Sequence, residues 1–192
     1  MITPAPLAAQ TNYQVRFGRG IDALQSVGAY ADVVIWVDAL PEPSGTDDLH
    51  EATGRRSANR GHDSHAHGWS ELVGVPIIHA DLTNRSAAAK WMLEKQVEAG
   101  DRVSVAVVAA SDGVEDTLAA GSVIDALAAL GIDFSSPEAA VVCASFTALK
   151  RAVGHLFSAS IAGRALIAAH GEAGAQIVSD ASGIDSQNSV VA

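Results

Sequence analysis

V-S-V-A-V-V-A-A (Val103–Ala110), followed directly by S-D-G-V-E-D-T-L-A-A-G-S-V-I-D-A-L-A-A-L-G (Ser111–Gly131), decides the fold of this chain. The first eight residues are small or β-branched and almost all apolar, which is how a strand covered on both faces reads. Gly113 then turns the chain. Val114, Leu118, Gly121, Ile124, Leu127 and Leu130 recur at helical spacing until Gly131 stops the run. A buried strand passing through a tight turn into a helix predicts a sheet with helices packed on it.

Working outward, Asp32–Asp38 (D-V-V-I-W-V-D) is a second near-continuous apolar run, ending on a carboxylate. Tyr13–Phe17 alternates and is bounded by Gly18 and Gly20, which predicts a short strand. Ile21–Val27 fits one or two helical turns closing at Gly28. Val75–His79 resumes strand character, with Pro76 marking an edge or a strand start. A helix is expected over Ser86–Glu98, with Asn84 as N-cap and Gly100 as stop. Ser136-Pro137-Glu138 opens another helix, expected to run to about Phe157, and a last one near Ile161–Ala169 ends at Gly171. Strands alternating with helices make this an α/β chain, expected as a single domain over residues 1–192. Between Pro41 and Ser70 large apolar residues are few, chiefly Leu49 and Trp69, so residues 41–70 are expected to form a mobile polar loop.

Composition narrows the function. A chain of 192 residues buries roughly 70% of its unfolded surface and needs no disulfide or metal staple. It is 48% hydrophobic but only 5% aromatic, which suits helices packed closely on a sheet. The net charge of −10 disfavours nucleic acid and anionic membranes as partners and is compatible with a cation site. The lone Cys143 excludes an internal disulfide framework. No uninterrupted apolar run approaches the ~20 residues of a membrane span. Met1–Asn12 lacks the features of a signal peptide, so a cytoplasmic protein is expected.

Chemistry concentrates at Asp112–Thr117. Ligands of α/β sheets bind outside the carboxyl ends of strands, where this turn falls, and a helix start offers free N–H groups to an anion. Glu115 and Asp116 suit a divalent cation that carries such an anion. Equally, Asp112 and Glu115 have capping-box spacing, and acidic first turns complement the helix dipole. Asp38 ends the other buried strand. If the two strands are parallel neighbours, it converges with Glu115 and Asp116 on one Mg²⁺, an ion held by one or two carboxylates plus water and phosphate oxygens; otherwise it caps the following turn. His62, His65 and His67, with Asp63 and His50, match no closed zinc motif and read as part of the polar loop. His79 ends a strand, while His155 and His170 fall in helical segments as packed or surface residues. Cys143, beside Val141, Val142 and Phe146, reads as a small buried hydrophobe. Walker A spacing, G-x-G-x-x-G after a strand, and a G-x-S-x-G elbow are all missing.

Taken in order, Y-Q-V-R-F (Tyr13–Phe17), A-D-V-V-I-W-V-D-A-L (Ala31–Leu40), V-E-D-T-L-A-A-G-S-V-I-D-A-L (Val114–Leu127), S-P-E-A (Ser136–Ala139), G-R-A-L-I (Gly163–Ile167) and the terminal I-D-S-Q-N-S-V-V resemble the 2-phosphosulfolactate phosphatase family. The E-D-T-x-x-A-G stretch is the most specific of these segments. The resemblance implies a three-layer α/β/α fold with a mixed, largely parallel sheet and Mg²⁺-dependent hydrolysis of a small phosphate monoester. It implies Asp38 and Glu115 on the metal, Glu115 and Asp116 as catalytic residues, and Asn84 and Thr117 on the substrate. The expected partner is a small phosphorylated or anionic molecule, and a homo-oligomer is expected. The alternative is a member that kept the scaffold without the chemistry and binds a small anion or serves as an oligomeric interaction module. The family's Thr-rich turn after the strand aspartate is replaced here by Pro41-Glu42-Pro43, and Ala109–Gly113 contains no arginine.

Overall fold

The structure, a computed structural model, describes residues 6–41 and 73–190. Four strands form its sheet: β1 (Val15–Arg19), β2 (Val33–Val37), β3 (Ile77–Ala80) and β4 (Val105–Ala109). Their order is β1-β4-β2-β3 and every pairing is parallel, with Arg19 and Val37 both opposite Ala109 at the carboxyl end. Among the described residues, then, the sheet is wholly parallel.

β2 and β4 lie in the middle and are buried at every position, as their unbroken apolar runs require. Alternate residues of β2 serve two cores. Val33, Ile35 and Val37 join the larger one, while Val34 and Trp36 face the smaller. The larger core is roofed by α2 (Arg85–Ala99), α3 (Val114–Ala129), α4 (Pro137–Leu149), α5 (Val153–Ala159), α6 (Ile161–His170) and α7 (Glu172–Ala181). On the opposite face Leu24 of α1 (Gly20–Ser26) and Val27 pack against Val34, Trp36, Ala106 and Val108. Helix, sheet and helix make three layers of unequal weight.

Two glycines let the layers close. At Gly18 a β-carbon would overlap that of Ala23, so the residue that looked like the end of β1 lies inside it, where α1 crosses. Gly121 does the same between helices, since a β-carbon there would overlap the backbone carbonyl of Val142. This contact makes α3 the central helix of its layer, buried from Leu118 through Leu127 except at Asp125. Fully burying Phe146 beside it adds roughly 1.5–3 kcal/mol of hydrophobic stabilisation.

Helix boundaries differ from expectation in the second half. The helix expected to run from Ser136 to Phe157 stops at Leu149, passes through a 3₁₀ turn at Lys150–Ala152, and restarts as α5. Pro137–Ala159 taken together has the length and mean hydropathy (1.2) of a membrane span. Within it Val142, Phe146, Val153 and Phe157 lie in the core, while Val141 and Leu149 are exposed. Helix α7 lies beyond the stop expected at Gly171 and buries Gly174, Val178 and Ala181 at helical spacing. Gly171, at φ +57°, separates it from α6, and Gly174 seats it directly on the carbonyl of Leu166.

Candidate functional site

β2 and β4 are parallel neighbours, so Asp38 and the start of α3 follow strands that end on the same side of the sheet. Asp38 follows the last residue of β2 and is half-buried. Past it, the Ala39 N–H donates to Asp116 Oδ1 at 2.8 Å. Asp116 Oδ2 accepts from the N–H and the hydroxyl of Ser111, at 3.0 and 2.6 Å. Ser111 Oγ in turn accepts from the Gly113 N–H at 3.0 Å, which closes the turn after β4. Asp116 is 4% exposed, and burial pushes its carboxyl pKa up, against the opposing pull of the Ala39 and Ser111 donors; neighbouring Glu115 adds to the rise.

Glu115 is in a different state. It is 5% exposed, and Oε2 is buried without a hydrogen-bond partner. Its carboxylate lies back over Gly113, where a β-carbon would overlap Oε1. The capping box is not formed: the residue at the N-cap is Gly113, which has no side chain to cap with. Asp112, 93% exposed, instead faces Arg19 at 3.6 Å. Buried carboxylates are normally satisfied, so an orphaned oxygen at a strand end calls for an explanation.

Arg19 is the residue that sequence reasoning missed. Ala109–Gly113, directly before the E-D-T motif, contains no arginine, yet the last residue of β1 lies beside the end of β4 and brings a guanidinium to the turn. It stacks on Phe17, 4.7 Å from the ring centroid, and is 40% exposed. Only the sheet order reveals this, because Arg19 and Asp112 are 93 residues apart in sequence.

The other expected site residues are placed as follows. Thr117 is half-buried in the first turn of α3, its N–H bonded to Gly113 O. Asn84 stands at the N-cap of α2 but does not cap it with its side chain. Its Oδ1 accepts from the Asp81 N–H at 2.9 Å, and its Nδ2 donates to the Ser189 carbonyl at 3.1 Å. The cap comes from the chain's tail, with Asp185 Oδ1 accepting from the Ser86 N–H at 2.9 Å. The tail is held further by Asp185 N–H to Leu82 O and Gln187 N–H to Thr83 O. Arg85 completes this region, bonding Asp125 at 2.9 Å and approaching Asp185 at 3.6 Å.

Among the described residues no three His, Cys, Asp or Glu side chains gather closely enough to hold a metal ion by themselves. His50, His62, Asp63, His65 and His67 lie outside the described residues, as does the expected loop apart from Pro41. His79 is half-buried in β3, His155 is exposed in α5, and His170 is half-buried at the end of α6. Cys143 is half-buried against the main core, and its thiol pKa is pushed up by burial first and by Asp125 second, with Arg85 opposing; that is the reverse of nucleophile activation.

The fold defines an α/β protein whose sheet, among the described residues, is parallel. Compared with known proteins, the chain matches no family model and none of the curated proteins.

Proposed function

We propose that this chain is a 2-phosphosulfolactate phosphatase-like protein that hydrolyses a small phosphate monoester with Mg²⁺ in the crevice between Asp38 and the start of α3. The observation that carries the reading is the unpartnered Oε2 of Glu115, 5% exposed, at a helix start that no side chain caps. A buried carboxylate oxygen without a donor suits a cation, and the first-turn N–H groups of α3 suit the anion such a cation carries. Glu115, with Asp38 leaving the sheet at the same end, is assigned to the ion in this reading. Asp116 is not, because both its oxygens already accept bonds from the protein.

When bound, Mg²⁺ supplies Lewis-acid polarisation of the phosphoryl oxygens. The chain itself does the rest. The α3 N–H groups orient the phosphoryl group, Arg19 neutralises a second negative oxygen at the rim, and Glu115 fixes the ion that the charge of the ester requires. Such preorganised charge is typically worth 10²–10³ in rate for each group removed.

The test is turnover of an aryl phosphate with and without MgCl₂, comparing wild type with Glu115→Gln. Expected are Mg²⁺-dependent hydrolysis by wild type and a loss of about 100-fold or more in the variant. Absence of turnover, together with no thermal shift on adding MgCl₂ or inorganic phosphate, would falsify the reading. A thermal shift with phosphate but no turnover would favour the alternative, a scaffold that binds a small anion without hydrolysing an ester.

A further inference from the structure

The three protein donors around Asp116 join two segments that the chain keeps far apart. Ala39 belongs to the exit from β2, and Ser111 to the exit from β4, 72 residues later. Asp116 sits in the first turn of α3, so one carboxylate holds both strand exits against one helix start. The residue immediately before Ala39 is Asp38, and the residue immediately before Asp116 is Glu115. The two carboxylates assigned to the cation are thus each one peptide away from the same set of hydrogen bonds. Bonds from N–H and O–H donors to a buried carboxylate are short, directional and stronger than neutral ones, which suits them to fix geometry.

We propose that Asp116 is a positioning residue: it ties the exit of β2 to the start of α3 and so sets Asp38 against Glu115, without itself touching the ligand. The inference rests on the reading of that crevice given above. Substitution separates the two halves of the tie. In Asp116→Asn the remaining carbonyl oxygen still accepts from Ala39, while the new amide nitrogen opposes the Ser111 N–H. In Asp116→Ala both halves are lost.

The experiment measures amide exchange at Ala39 and Ser111 by NMR, and MgCl₂ affinity by isothermal titration, in the full chain. Asp116→Asn is expected to speed exchange at Ser111 by about ten- to a hundredfold and leave Ala39 protected, since a charge-assisted hydrogen bond is lost at Ser111 alone. Asp116→Ala speeds both. Mg²⁺ binding weakens in Asp116→Asn with its stoichiometry kept, whereas Glu115→Gln abolishes it. Unchanged exchange at both amides in Asp116→Asn and Asp116→Ala overturns the inference. So does abolition of Mg²⁺ binding in Asp116→Asn with Ser111 still protected, which would make Asp116 a ligand. Wild type that binds no Mg²⁺ sinks the preceding reading instead, and the exchange data then decide the tie alone.

Discussion

Two strand-to-helix turns lie at the same edge of the sheet, one leading from β3 into α2 and the other from β4 into α3. Both are rich in polar residues, and in the sequence both look like sites. The α2 turn is the more fully bonded. Asn84 bonds Asp81 and the tail, Asp185 caps Ser86, and Arg85 is ion-paired with Asp125 and Asp185, although its Nε and Nη1 are buried without a hydrogen-bond partner. The α3 turn is half open. Ser111, Asp116 and Ala39 satisfy one another, but Glu115 keeps an oxygen without a partner and the helix has no side-chain cap. What separates the turns is charge pairing: the open donors of Arg85 belong to a guanidinium already paired with Asp125 and Asp185, whereas among the described residues Glu115 makes no ion pair. An unsatisfied buried group is costly, and an unpaired buried carboxylate more so.

If that contrast holds, substitutions at the α2 turn should cost stability and those at the open turn should cost function. The largest effect is expected from Arg85→Met. Arg85 is 9% exposed and Asp125 30%, so the pair resembles a buried ion pair more than a surface one. Removing the guanidinium strands Asp125 and should lower the unfolding free energy by about 3 kcal/mol, read from urea melts. A loss below half a kcal/mol would show that the α2 turn is not a structural anchor.

A smaller effect separates the two acids of the open turn. The native pKa of Asp116 is raised above its ordinary 3.8, mainly by burial. The folded state then holds this proton to higher pH than the unfolded state does, so ionisation disfavours folding. Wild type should lose stability relative to Asp116→Asn as pH rises from near 3.8 through the raised value, then level off. Thermal melts of the two proteins across that window check it, and a difference that is flat or grows the other way contradicts the burial argument. The smallest effect belongs to Glu115→Gln. With no hydrogen bond to lose at Oε2, its unfolding free energy should stay within about half a kcal/mol of wild type or rise slightly. A large destabilisation would mean that Glu115 holds the fold, and the contrast between the turns would fail.

What was legible in the sequence depended on how far each feature reaches along the chain. Val105–Ala109 and Val33–Val37 showed as strands because burial on both faces leaves no room for polar residues. The start of α4 was equally plain, since Ser136 and Pro137 act locally, with Ser136 Oγ accepting from the Ala139 N–H at 3.1 Å. Gly18 misled about the end of β1 because its reason lies in α1 on the other side of the sheet. Gly171 misled in the same way, since it ends α6 but at φ +57° turns the chain straight into α7, whose Gly174, Val178 and Ala181 are buried.

The sequence by itself determined an α/β layering, the strand-turn-helix unit at Val103–Gly131, and the group of residues from which a site would be drawn. Periodicity, turn residues and caps are local, so a single chain displays them. Tertiary structure alone decided what each polar residue does. It set β1 beside β4 and so delivered Arg19 to the turn, and it folded the tail back to occupy Asn84. It also saturated Asp116 from two distant strand exits while leaving Glu115 with an open oxygen. Hydrogen-bond satisfaction is a property of the neighbours in space, and no spacing along the chain records it.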